Sequence, residues 1–170
     1  SLNNNLDLIR KLSFPRIILP ISKVLVALVE FGITFLLMIP VFAYYQIPLS
    51  WTMLAFPVII FFIMLFSVGL SLILAAATLK FRDLQHIVPF LVNFGIWFTP
   101  VFYPISLIPE EFKDLMYLNP MASLISLARW SLFGDAVSSF ALIGIMISII
   151  FLVIGVIYFK RVEDRISETV

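Results

Sequence analysis

A polytopic, all-α integral membrane bundle is the fold class this 170-residue chain predicts, and three observations predict it. Hydrophobic residues make up 62% of the sequence, against roughly 45–50% in soluble domains, and mean hydropathy is +1.14. The apolar residues gather in runs long enough to cross a hydrocarbon core of about 30 Å at about 1.5 Å per helical residue. Nearly all the Lys and Arg residues fall between those runs, not within them. Together these predict four spans plus a re-entrant helical hairpin on the outer side.

The first element, residues 1–20, carries Leu2, Leu6, Ile9 and Leu12 near helical spacing, with Asp7, Arg10 and Lys11 opposite and Pro15 as the stop. It reads as a short amphipathic helix lying on a membrane surface, with a plain linker as the alternative. The chain opens on Ser1 and shows no charged leader before a short apolar core, so a piece of a longer protein is expected, its N-terminal part missing. Residues 24–45 form the first span, interrupted by one charge, Glu30. Tyr44, Tyr45 and Trp51 border a short turn around Pro48, the aromatic signature of a membrane–water interface.

Residues 51–79 form the second span, long enough that it must tilt, kink near Pro57 or protrude. Ser67, Gly69, Ser71 and residues 75–77 supply the small side chains that close helix packing needs. A polar turn from Lys80 to His86 follows, with Asp83 placed to cap the next helix. Residues 87–104 form the third span, with Pro89 in its first turn. Residues 105–139 are neither soluble loop nor clean span. Asn119-Pro120 divides two short apolar stretches and Arg129 ends the second, which reads as two helices that dip into the outer leaflet and return. Residues 140–159 form the last span and residues 160–170 a polar tail.

Charge placement tests this layout. Arg10, Lys11, Arg16, Lys23, Lys80, Arg82, Lys160, Arg161 and Arg165 fall on one side, and Lys113 and Arg129 on the other. The positive-inside rule then makes both ends of the chain cytoplasmic, in a multi-pass membrane protein. Turning the dipping segment into a full crossing would put the C-terminal basic cluster outside and bury Arg129 in lipid, at roughly 2.5–3.5 kcal/mol. Irregular backbone at that depth must be shielded by protein or face water, so the segment points to a translocation route.

Composition also excludes functions. With 12% charged residues and a net charge of +1 there is no basic face for a nucleic-acid partner. No Cys and one His leave no disulfide, thiolate or metal site. None of the six Gly precedes a Lys, so the chain lacks a phosphate-binding loop, and no intramembrane Ser, His and acid set could serve hydrolysis. A transport protein fits better than an enzyme.

Several residues stand out as candidates. Glu30 is an intramembrane carboxylate, which suggests function unless it bonds Thr34 or a neighbouring helix; the two readings stand side by side. Phe90, Phe94, Trp97 and Val101 share one face of the third span. They suit either stacking on a substrate's sugar rings or ordinary helix and lipid packing. Tyr103 and Trp51 read as interface anchors, and Arg129 as an anchor for the hairpin through free carbonyls or Glu110, Glu111 or Asp114. Arg10, Lys11 and Arg16 suit anionic lipid headgroups.

The ordered set Arg82-Asp83, Trp97 to Val101, Tyr103, Ile108-Pro109, Asn119-Pro120 and Arg129, preceded by Phe14-Pro15-Arg16 and Leu19-Pro20, resembles the permease subunits of ATP-binding-cassette exporters of the ABC-2 family. The pattern is closest to permeases exporting polysaccharide, O-antigen and teichoic acid, although many of those carry Gln where Asn93 stands. The resemblance implies six spans in the intact subunit and pairing with a second copy. It also implies two separate ATPase subunits, which bind the ATP and Mg, while this chain holds no cofactor. Arg10, Lys11, Phe14, Arg16, Arg82 and Asp83 would then contact the ATPases. Glu30, Phe90, Phe94, Trp97 and Tyr103 would border the path of a lipid-linked glycan, and Asn119, Pro120 and Arg129 would shape the hairpin. A drug or lipid exporter of the same superfamily, a membrane-embedded transferase and a passive channel are the alternatives.

Overall fold

A computed structural model describes residues 17–48, 50–81, 83–103 and 107–167, and its regular elements are all helical. The expected coupling residues Arg10, Lys11, Phe14, Arg16 and Arg82 lie outside the described residues. Helix α1 runs Ile18–Tyr44. A 3₁₀ turn, Trp51–Ala55, leads into α2, Phe56–Lys80. Helix α3 is Leu84–Trp97, α4 Glu110–Met116 and α5 Pro120–Phe133. A second 3₁₀ turn, Ser139–Leu142, opens α6, Ile143–Ser167. Three segments, Ile18–Tyr44, Trp51–Lys80 and Ser139–Arg165, are long and apolar enough to cross a membrane.

The helix ends follow from local chemistry. At the C-terminus of α1 the Gln46 N–H donates to the Ala43 carbonyl and the Ile47 N–H to the Phe42 carbonyl. Gln46 takes the left-handed conformation (φ 52°) that this Schellman arrangement needs, and Pro48 follows. Ser50 caps the turn into α2 by accepting from the Thr52 N–H, and Pro57 sits in the first turn of the α-helix, where its missing N–H is harmless. The length of the second span is thus divided between a 3₁₀ turn and a 25-residue helix.

Three sequence expectations are corrected here. Asp83 does not cap α3: its backbone is helical and its side chain accepts nothing from the first turn. Main-chain bonds from Leu84 N–H to the Phe81 carbonyl and from His86 N–H to the Asp83 carbonyl close that end instead. Because α3 begins at Leu84, Pro89 is in its second turn and removes the partner of the Gln85 carbonyl. The helix also stops at Trp97, well short of residue 104, because the residue before Pro100 is disfavoured in helical geometry. Helix α5 runs past Arg129 to Phe133 and ends on Gly134 in the left-handed region (φ 75°).

Helices α2 and α6 form the backbone of the bundle and run in the same direction. Phe66 meets Phe151, Gly69 meets Phe151, Leu152 and Gly155, and Leu72 and Ala76 pack with Phe159. Both helices therefore start at the end that carries Trp51 and finish at the end that carries Lys80. Without an apolar-to-water gradient inside lipid, such a pair is held by close packing. A Cβ on Gly69 would lie 2.5 Å from the Phe151 main chain and one on Gly155 2.5 Å from the Gly69 carbonyl oxygen, so only glycine fits.

Parallel α2 and α6 constrain everything between them. Helix α3 carries the chain back toward the Trp51 end, so α4 and α5 must enter and leave at that same end. They do: Phe133 at the end of α5 stacks edge-on against Phe42 in the last turn of α1 (5.9 Å), and Ser131 bonds Thr52. The hairpin is sunk into the bundle, since Tyr117, Leu124 and Leu127 share a buried cluster with Ile59 and Phe66 of α2. Gly144 of α6 meets Ser123 and the Pro120 carbonyl of α5, closing the other side.

Candidate functional site

The site is the junction where α3 ends and the hairpin turns. Fourteen residues at about 1.5 Å each give α3 a rise of about 21 Å, short of a full crossing. The remaining height is met from the other side by the Asn119 turn. Thr99 and Pro100 are buried although α3 itself is not. The Asn119 amide donates to the Phe98 carbonyl (3.3 Å) and to Thr99 Oγ1 (3.2 Å), while its own oxygen accepts from the Met121 N–H (3.1 Å) and caps α5. One side chain therefore starts one helix and ties down the end of another.

At the end of α3, where a helix leaves carbonyls without intrahelical partners, the Phe98 N–H donates to the Gly95 carbonyl and the Thr99 N–H to the Ile96 carbonyl, and side chains add to these. Thr99 Oγ1 donates to the Gly95 carbonyl (3.0 Å) and the Tyr103 hydroxyl to the Trp97 carbonyl (3.2 Å). Arg129 reaches across from α5 and donates to the Tyr103 carbonyl (3.1 Å). The guanidinium is thereby placed against a main-chain carbonyl beyond the end of α3.

Two further bonds hold the hairpin from the Trp51 end. Ser131 Oγ donates to the Thr52 carbonyl and Thr52 Oγ1 to the Ser131 carbonyl, each at 2.9 Å. Ser123, fully buried, donates to the Tyr117 carbonyl at 2.7 Å. Among the described residues no buried side-chain nitrogen or oxygen lacks a partner. Sequence reading missed Thr52, Ser123 and Ser131, because a hydroxyl in an apolar run carries no mark of its partner, which for Thr52 and Ser131 lies 79 residues away.

Below the junction, α3 stands apart. Phe90 and Trp97 are 67% and 70% exposed, and Leu91, Val92, Phe94, Ile96 and Phe98 are exposed as well. Phe90 stacks on Phe94 with centroids 5.9 Å apart, and Phe94 meets Phe98 at 5.2 Å with the rings tilted by 58°. Trp97 turns aside to pair with Phe102 at 6.3 Å. The expected face of Phe90, Phe94, Trp97 and Val101 is thus a ladder ending on Phe98, with Val101 beyond the helix; i, i+4 spacing in the sequence holds that signal.

Glu30 is not part of this group. It lies on the exposed side of α1, away from Leu28 and from Phe35, which stacks on Phe56 of α2 at 5.1 Å. The Thr34 hydroxyl donates to the Glu30 main-chain carbonyl (3.0 Å), not to its carboxylate. At the Lys80 end, the Lys80 ammonium sits 5.1 Å from the Phe81 ring centroid, and the Gln85 amide lies 3.4 Å from the His86 ring nitrogen.

A helical membrane bundle with two parallel scaffold helices, a sunken broken hairpin and an uncovered aromatic helix defines a polytopic protein of the transporter kind. The chain belongs to the ABC-2 type transporter family, whose model matches residues 3–133. It is 40% identical over 129 residues to an O-antigen export system permease protein of Myxococcus xanthus, covering 74% of this chain and 49% of that protein. Two O-antigen export system permease proteins of Klebsiella pneumoniae are each 33% identical over 172 residues, covering 96% of this chain and 64% of theirs. The chain thus spans about half to two thirds of the length of these relatives.

Proposed function

We propose that this chain is part of the permease subunit of an ATP-driven exporter that moves a lipid-linked polysaccharide, of O-antigen, capsule or teichoic-acid type, outward across the cytoplasmic membrane. The observation that carries this reading is the similarity to O-antigen export permeases along 96% of the chain. The junction supports it physically. Irregular backbone deep in a bundle is tolerated where protein shields it or where it borders a water-filled route, and the Phe90–Phe94–Phe98 ladder offers apolar ring faces of the sort sugar rings stack on.

In this reading the Lys80 end is cytoplasmic, as are both ends of the chain. Two copies pair, and two ATPase subunits, which hold ATP and Mg, engage the segment around Arg10, Lys11, Phe14 and Arg16 and the turn with Arg82 and Asp83. Helix α3 starts at that turn and ends at the Asn119 junction, so movement of the turn reaches the hairpin through one rigid element. The full-length permease reconstituted with its ATPase in proteoliposomes should move lipid-linked glycan in an ATP-dependent way. Transport that persists with the ATPase's nucleotide site disabled would overturn the reading in favour of a passive channel. ATP-dependent movement of an apolar drug or a phospholipid, with glycan left behind, would redirect it to the drug or lipid exporters.

A further inference from the structure

The cytoplasmic ends of α2 and α6 enclose a cleft of about 510 Å³ that the transport reading does not use. Lys80, Arg161 and Arg165 line it, with one carboxylate, Asp164, and the ring of Tyr158 and side chain of Val162 forming apolar wall. The cleft lies where both apolar runs end. Leu79 is the last apolar residue of α2 before Lys80, and Phe159, buried against Leu72 and Ala76, is the last of the apolar run of α6 before Lys160 and Arg161. Its height is that of lipid headgroups. Leu79, Tyr158 and Val162 of its walls pack against the buried Leu72, Ala76 and Phe159, so a ligand meets a formed site.

We propose that this cleft binds the headgroup phosphate of an anionic phospholipid of the inner leaflet, with the glycerol and first acyl carbons against Tyr158 and Val162. Basic pockets between membrane helices on the cytoplasmic side favour such headgroups. Lys80 and Arg161 bring two positive charges to the phosphate from the two walls of the cleft. A zwitterionic choline headgroup would bring its ammonium among these cations and is disfavoured. Lys80 opens the turn that leads into α3, so an occupied cleft fixes the start of that helix. The proposal rests on the orientation given above only in naming the leaflet.

The test is native mass spectrometry of the full-length permease in detergent, titrated with phosphatidylglycerol or phosphatidylcholine. Wild type should retain one phosphatidylglycerol per chain in preference to phosphatidylcholine. Lys80→Gln with Arg161→Gln should weaken that retention about thirtyfold, whereas Lys80→Arg with Arg161→Lys should keep it, which separates lost charge from lost folding. Equal retention of the two lipids, unchanged retention in the neutral variant, or displacement of the lipid by about 20 mM inorganic phosphate would each overturn the proposal, the last by making the ligand a soluble phosphate. Lipid retention is read without transport, so its failure leaves the export reading standing.

Discussion

Helices α2 and α3 are joined by one short turn and are built on opposite plans. Helix α2 meets α6 so closely that glycine backbones touch, with Leu72 and Ala76 fully buried between them. Helix α3 is apolar too, yet its side chains are exposed along its length and a Cβ at Gly95 would meet nothing within 4 Å. The first is a scaffold complete within this chain. The second is held by its end, through Asn119, and offers the rest of its surface to lipid or to other parts of an assembly. The contrast teaches that apolarity alone does not distinguish a packed helix from an available one; small residues at the crossing do.

The largest effect should come from the scaffold. Gly155→Ala should destabilise the protein by about 1–3 kcal/mol and Gly155→Leu should abolish recovery of monodisperse protein, because the helix pair must separate. Reversible unfolding in mixed micelles measures the first and size-exclusion chromatography the second. Next comes the junction. Asn119→Ala removes a cap worth about 1 kcal/mol and two bonds averaging about 0.6 kcal/mol each in membrane interiors. The expected total is about 2 kcal/mol, with faster hydrogen exchange at residues 98–103 and unchanged exchange in α2 and α6. Asn119→Asp keeps the cap acceptor and should lose only the part due to Phe98 and Thr99.

A smaller effect is expected at the Trp51 end. Thr52→Val and Ser131→Ala should each destabilise by about 0.5–1.5 kcal/mol and be close to additive in a double-mutant cycle, since each hydroxyl bonds the other residue's main-chain carbonyl, which both variants keep. The smallest belongs to α3. Gly95→Ala should leave the unfolding midpoint unchanged. If transport by the assembled exporter falls while stability holds, the bare face of α3 is covered or used in the assembly; if stability falls, α3 is more tightly packed than the structure has it.

Most of the fold was legible in the sequence, and for a local reason. Whether residues 24–45 or 140–159 can sit in lipid depends on hydropathy summed over neighbours, and the motif order from Arg82-Asp83 to Arg129 is read directly along the chain. The hairpin was legible because Asn119-Pro120 breaks an apolar stretch and Arg129 resists full insertion. Other points were not. Asp83 has the residue type of a cap, but backbone bonds from Phe81 and Asp83 already close that helix. Thr34 is one turn from Glu30, yet its hydroxyl takes the nearer main-chain carbonyl, as helical geometry favours. The pairing of Thr52 with Ser131 joins residues 79 apart, and no local pattern announces it.

By itself the sequence determined that this is a polytopic helical membrane protein of the ABC-2 family, because burial in lipid and a motif's order are both properties of consecutive residues. Only the tertiary structure decided that α2 and α6 run parallel, that α3 stops early to be met by a sunken turn, and which carbonyls Asn119, Tyr103 and Arg129 satisfy. The physical reason is that a polar group removed from water must bond whatever unpaired group lies nearest in space, and that neighbour is set by the crossing of distant helices at Gly69 and Gly155.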